Sequence, residues 1–202
     1  PHRPLAMKPS HLDRLERLDT STVSDALDFL TLPGATVGLR PLWNCPKIVG
    51  RASTVQLGAK VGDAPTVHLI SPVIAAIETD ERVLVISGGI DGVSCWGDIL
   101  ANAAKVKRVR GTVVDGFSRD IEANDAIAYP VYGRGVTMVS ARNRVVQLAS
   151  GTPIQVAGVQ VREDEALYNG GSDILRRFVE AAEDEAGCLM VVAHNPGIHL
   201  LA

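Results

Sequence analysis

Residues 91–120 read DGVSCWGDILANAAKVKRVRGTVVDGFSRD, and this stretch decides the fold class. An apolar run, Val83-Leu84-Val85-Ile86, precedes it and ends in Ser87-Gly88-Gly89. A helical pattern follows from about Ser94 to Lys107, then a second apolar run, Gly111-Thr112-Val113-Val114. Strands alternating with a helix predict neighbouring parallel strands whose carboxyl ends share one edge of a sheet. Open α/β sheets bind their ligands at that edge. Three groups gather there: a helix amino terminus at Gly97, which attracts anions, the Arg119 guanidinium, which suits carboxylate or phosphate, and the Asp120 carboxylate, which can hold a hard metal ion. Together they suit a small anionic, metal-chelating ligand.

Outward from this stretch, the amino-terminal third predicts two short helices. Ser10 caps the first, His11 to Leu18, and Thr20 or Ser21 caps the second, with Val23, Ala26, Leu27 and Leu30 on one face. Residues 50–57 alternate like a strand, and residues 64–77 read as a helix that Pro72 kinks or breaks. Beyond Asp120, Val131-Tyr132 and residues 136–139 predict short strands, and residues 153–161 a hairpin turning at Ala157-Gly158. The texture changes from Asp164 onward. Ser172 caps an amphipathic helix carrying Ile174, Leu175, Phe178, Val179 and Ala182, followed by an apolar strand at 188–192 and a turn at His194.

Composition narrows the function classes. A chain of 202 residues with 46% hydrophobic and 21% charged residues suits one large domain, or one domain with an appendage. A net charge of -3 gives no electrostatic case for nucleic acid. Lys105, Lys107, Arg108 and Arg110 cluster, but at a helix end whose dipole favours cations. Cys45, Cys95 and Cys188 form no CxxC pair, which argues against a disulfide framework or zinc site and for a reducing compartment. No apolar run reaches the length of a membrane span, and the first residues lack the apolar core of a signal peptide, so the expected location is the cytoplasm.

The chemistry-bearing residues each have a plainer reading. Arg119-Asp120 alone would be a surface ion pair of little consequence; its setting beside Asp115-Gly116 and the 87–98 turn is what singles it out. Asp91, Asp98 and Glu122 can add oxygens or hold a metal-bound water, and equally suit helix amino termini as ordinary carboxylates. Cys95 beside Trp96 reads as a packed thiol, and His68 as a core or helix-surface histidine.

With these residues in place, the chain from about 15 to 164 resembles the family of 4-hydroxy-4-methyl-2-oxoglutarate aldolases and the related regulator of ribonuclease activity A. The likeness is carried by residues 22–27 (TVSDAL), 48–52 (IVGRA), 96–101 (WGDILA), 110–116 (RGTVVDG), Arg119-Asp120, and Pro130-Val131-Tyr132 with Arg134-Gly135. The resemblance implies an α/β swivelling β/β/α domain with a mixed sheet over residues 1–164, assembled as a homotrimer with sites between subunits. It implies that Gly97, Asp98, Ile99 and Leu100 bind the substrate carboxylate, Arg119 the keto or enolate oxygen, and Asp120 a divalent metal, Mg2+ or Mn2+. The implied activity is retro-aldol cleavage of 4-hydroxy-2-oxo dicarboxylic acids to pyruvate, with oxaloacetate decarboxylation. The regulator branch instead binds a ribonuclease and lacks the metal aspartate.

Two departures stand out. Many relatives carry an acidic residue three positions after the metal aspartate, where this chain has Ala123 next to Glu122. Residues 165–202 form an atypical helix-strand segment, similar over 167–202 to the second half of a short phosphohistidine phosphatase, with His194 at the position of its second histidine. The Arg-His-Gly nucleophile motif of that superfamily is absent from the sequence.

Overall fold

The computed structural model describes residues 11–31, 35–62 and 69–161. The expected segment 165–202 with His194, the domain boundary before it, Ser10 and His68 lie outside them.

Short elements lead into the sheet. Helix α1 spans His11–Glu16 and α2 Thr20–Phe29, with the α2 cap at Asp19, whose carboxylate accepts from the Thr22 N–H (2.7 Å). The cap thus falls one residue before the expected Thr20, because Asp19 holds extended backbone and reaches N3. Strand β1 is Arg40–Pro41 and β2 Arg51–Ala59. Helix α3 covers Ser71–Ala76, with Pro72 in its first turn rather than kinking it, while residues 64–68 of the expected helix lie outside the described residues. That position suits proline, since the missing N–H would have had no helical partner.

Strand β3 (Arg82–Ser87), β4 (Ser94–Trp96), α4 (Asp98–Val106), β5 (Thr112–Ser118) and α5 (Ile121–Ala126) follow. The helix expected from Ser94 therefore begins as a strand. β4 lies beside β5 in parallel, pairing Ser94 with Phe117 and Trp96 with Ser118. β5 runs through Asp115-Gly116, which the sequence placed in a loop. Strand β6 (Val131–Val136) fuses the first expected short strand with the start of the second, β7 (Val145–Ser150) was not anticipated, and β8 (Ile154–Val156) and β9 (Val159–Val161) form the expected hairpin.

The seven-stranded sheet has the order β1-β6-β5-β3-β2-β7 with β4 beside β5. Strands β2, β3, β5 and β6 are parallel; β1 and β7 close the edges antiparallel. The alternation in β3 explains the layers. Leu84 and Ile86 face Ile74 of α3 and Ala101 and Ala104 of α4, while Val83 and Val85 face Ile154, Val156 and Val161 of the hairpin. A strand covered on both faces must be apolar throughout, which is why 83–86 reads as a continuous run. Each such side chain contributes about 1.5–3 kcal/mol when fully buried. The result is a swivelling β/β/α domain: hairpin, mixed sheet, helices.

Asp115 fastens the hairpin layer to the sheet. Its carboxylate accepts from the Ala157 N–H (2.8 Å) in the hairpin turn and from Arg134 Nε (2.5 Å). It therefore points away from the carboxyl-edge loop where the sequence grouped it. Asp115→Ala leaves the Ala157 N–H without its acceptor and is expected to lower unfolding stability by about 1–3 kcal/mol. Urea denaturation measures this; a midpoint equal to wild type would mean the hairpin needs no such tether.

Candidate active site at the carboxyl ends of β4 and β5

β5 ends at Ser118, a fully buried hydroxyl that donates to the Trp96 carbonyl (3.3 Å). The Arg119 N–H donates to the same carbonyl (3.0 Å), so the ends of β4 and β5 are held side by side. The next residue, Asp120, adopts the left-handed region (φ 56°, ψ 39°) and caps α5. Aspartate tolerates this conformation better than most residues, yet it is unusual enough outside glycine to need support.

Asn124 supplies that support. It is fully buried, and both its N–H (3.1 Å) and its Nδ2 (2.6 Å) donate to the Asp120 carbonyl. Its Oδ1 accepts from Trp96 Nε1 (3.4 Å). Trp96 in turn stacks on Tyr129 with ring centroids 5.8 Å apart, and the Tyr129 hydroxyl shares a hydrogen bond with Thr112 Oγ1 (3.0 Å). Burial pushes the Tyr129 phenol well above its usual range, so it stays protonated as a member of this chain of contacts.

The amino terminus of α4 meets this turn. Gly97 caps it in extended backbone, so space, not dihedral freedom, is what glycine provides there. A Cβ at Gly97 would stand 2.7 Å from Asp120 Oδ2. That oxygen accepts from the Asp98 N–H (3.3 Å) and pairs with Arg119 Nε (3.1 Å). Asp98 Oδ1 accepts from the Ile99 N–H (2.7 Å). Carboxylates thus already occupy the first N–H groups of the helix, the kind of ligand an anionic substrate would replace.

Gly97, Asp98, Ile99, Leu100 and Arg119 line one open cavity of about 350 Å³. Its far side is the loop from Ser140 to Val145. Asp120 is not on its wall but is tied to it through Arg119 and the Asp98 N–H. Asp91 and Glu122 do not line the cavity. Cys95 is buried, which pushes its thiol up, in keeping with a packed thiol. Of the basic cluster, Arg110 serves as a brace, donating to Glu16 Oε1 (2.6 Å) and to the carbonyls of Val49 and Asp80.

Among the described residues no group of three or more His, Cys, Asp or Glu could hold a metal ion. Asp120 offers one carboxylate just behind the cavity wall, against Arg119 and the Asp98 N–H. Magnesium is commonly held by one or two carboxylates with waters and substrate oxygens. The residues present therefore fit a cation shared with a chelating substrate.

Sequence reasoning missed Asn124 and the 140–145 loop. Asn124 lies four residues past Asp120, where a helix turn would stack it over the cap, but nothing in the sequence marks it as buried. The polar run Ser140-Ala141-Arg142-Asn143-Arg144 carries a turn signal, with no hint that it faces Gly97.

Comparison with known proteins bears on this site. A family model described as RraA-like, Aldolase/RraA, matches residues 20–171. Protein DlpA of Legionella pneumophila is 28% identical over 167 residues, covering 83% of this chain but only 27% of its own length. A candidate 4-hydroxy-4-methyl-2-oxoglutarate aldolase of Halalkalibacterium halodurans is 30% identical over 163 residues, 81% of this chain and 74% of that one. The crystal structure of Streptomyces coelicolor RraAS2, described as an unusual member of the RNase ES inhibitor RraA family, superposes with a TM-score of 0.67 at 25% identity. It covers 79% of this chain and 80% of its own.

Asn124→Ala is expected to unfold about 1–3 kcal/mol more easily, as a buried hydrogen-bonded group is lost. It should also speed amide hydrogen exchange at Arg119 and Asp98 more than elsewhere in the sheet. Unchanged exchange at these two amides would show that the turn holds itself.

Proposed function

The chain belongs to the RraA-like, Aldolase/RraA family, and from that premise we propose that it is a divalent-metal-dependent lyase. Its reaction is retro-aldol cleavage of 4-hydroxy-2-oxo dicarboxylic acids to pyruvate, with decarboxylation of oxaloacetate as a related activity. One observation carries the reading: Arg119 and the α4 amino terminus line one cavity, and the Asp120 carboxylate touches both from just behind its wall, with Asp120 Oδ2 3.1 Å from Arg119 Nε and 3.3 Å from the Asp98 nitrogen. The Halalkalibacterium relative, a candidate aldolase of this substrate class, supports it.

The residues divide the work as follows. The substrate carboxylate takes the N–H groups at Asp98, Ile99 and Leu100, displacing the Asp98 side chain from the Ile99 N–H. The 2-oxo oxygen then lies toward the Arg119 guanidinium. The 4-hydroxyl gives its proton to solvent water as its oxygen forms a double bond to C4. The C3–C4 electron pair moves through C3 onto the keto oxygen, where Arg119 stabilises the developing charge. The enolate then takes a proton at C3 to give pyruvate. A cation held by Asp120 would supply Lewis acidity to the same oxygen. Asp120 also keeps the guanidinium in place through the Nε contact, leaving the terminal nitrogens for substrate. Charge transfer to the keto oxygen is common to cleavage and to oxaloacetate decarboxylation, so one arrangement serves both.

The subunits are taken to form a homotrimer. Val136, at the carboxyl end of β6, and Met138 and Val139 just past it are exposed together, Met138 at 91% of its full area. An apolar run of this kind beside a cavity suits burial against another subunit.

A second reading is a non-enzymatic regulator that binds a ribonuclease. Its support is the superposition on RraAS2. It requires neither turnover nor metal, whereas Asp120 is retained at the cavity.

Pyruvate release from 4-hydroxy-4-methyl-2-oxoglutarate and from oxaloacetate, with magnesium and with chelator, separates the two. Metal-dependent release is expected from wild type, and Asp120→Ala should abolish it while leaving the circular dichroism spectrum intact. Undiminished release by Asp120→Ala in magnesium would remove this carboxylate from the mechanism. Arg119→Lys keeps the charge but loses the planar fork, and kcat should fall about 10²–10³-fold, as when an oxyanion donor is lost. A normal kcat with only a raised KM would limit Arg119 to binding.

A further inference from the structure

The loop joining β6 to β7 closes the cavity opposite α4. Ser140, Ala141, Arg142, Asn143 and Val145 line the cavity with Gly97–Leu100 and Arg119, and Arg144 joins Arg119, Ser140, Arg142 and Asn143 around an adjoining polar recess. The loop is well braced. The Arg142 N–H donates to Ser140 Oγ (3.1 Å), and the N–H groups of Arg144 (2.9 Å) and Val145 (3.0 Å) both donate to the Ala141 carbonyl. Arg144 Nη1 donates back to the carbonyls of Ser140 (3.1 Å) and Arg142 (3.3 Å).

The charges do not balance. Asp120 is matched by Arg119 at 3.1 Å. Neither Arg142 nor Arg144 enters an ion pair among the described residues, and the Arg142 guanidinium has no hydrogen-bond partner there. Counting Asp98, whose carboxylate is turned to the Ile99 N–H, three guanidinium groups stand against two carboxylates. The two on the short braced loop leave that side of the mouth with an excess positive charge suited to a ligand carboxylate.

We propose that Arg142 and Arg144 form the subsite for the distal carboxylate of the substrate, and so make the site selective for 2-oxo dicarboxylic over 2-oxo monocarboxylic acids. This rests on the 2-oxo acid reading above and adds the residues that choose within that class. The 1-carboxylate lies at the α4 amino terminus, the 2-oxo group faces Arg119, and the far carboxylate meets the loop. Guanidinium suits this role because its flat fork matches the two carboxylate oxygens.

Calorimetric binding of 2-oxoglutarate and 2-oxobutanoate in magnesium tests the subsite without turnover. Wild type should favour the dicarboxylate by about tenfold or more, the scale of a charged hydrogen bond. In Arg142→Ala/Arg144→Ala the ratio of the two dissociation constants should collapse toward one. If that variant melts early, Arg142→Gln/Arg144→Gln keeps the side-chain stems and the same ratio is read. Equal binding of the two acids by wild type, or a preference that survives in the double variants, overturns the subsite. So does tighter binding of inorganic phosphate than of 2-oxoglutarate, lost in the double variants, which would make the pair a phosphate site. The pyruvate assay is read separately. Discrimination without turnover would overturn the aldolase reading alone, and turnover without discrimination would overturn the subsite alone.

Discussion

Strand β5 changes partners along its length, and the rest of the domain is arranged around that change. Over Leu84 to Ile86, β3 pairs with residues 112–114; beyond them β4 takes the same side and pairs with Phe117 and Ser118. The chain between β3 and β4 has to leave the sheet and return against it. Backbone comes so close that a Cβ at Gly89 would stand 2.6 Å from the Asp115 carbonyl oxygen. A side chain there would push β4 away from β5 and separate Gly97 from Arg119. The site therefore exists because two strands end together at one edge, which is also where α/β sheets place their ligands.

Little of the site's geometry is held by charge. The Arg119–Asp120 pair is about one-third exposed on each side (36% and 34%), so its contribution to stability is small. The buried hydrogen bonds beneath it do the holding. Asn124, Ser118 and Trp96 fix the backbone of the turn, and the stacked Trp96 and Tyr129 anchor these polar groups in the core. A left-handed Asp120 costs on the order of 1 kcal/mol, which the two bonds from Asn124 can offset. The division makes physical sense for a ligand site: the charged groups at its edge stay solvated, while neutral buried groups set their positions.

Much of this was legible from one stretch of residues. The apolar runs at 83–86 and 111–114 gave the parallel strands, and Gly97 to Leu100 with Arg119 do share one cavity. The readings that failed did so for tertiary reasons. Ser94-Cys95-Trp96 carries no strand signal of its own; it is a strand because β5 offers an open edge there. Asp115 was placed in the loop before Arg119 because Asp-Gly usually marks a turn, but the strand continues through it and turns its carboxylate to the hairpin. Strand β7, with polar and apolar residues mixed, is defined by its antiparallel pairing with β2.

What the sequence determined by itself was the parallel strand-helix-strand unit and the chemical inventory at the sheet edge, since hydrophobic periodicity and residue type are local properties of the chain. The tertiary structure alone decided which groups meet. Trp96 against Asn124, and Arg142 and Arg144 across the mouth from α4, are brought together by strand pairing over long separations. No local pattern encodes a contact of that kind, because it depends on where two distant elements end relative to each other.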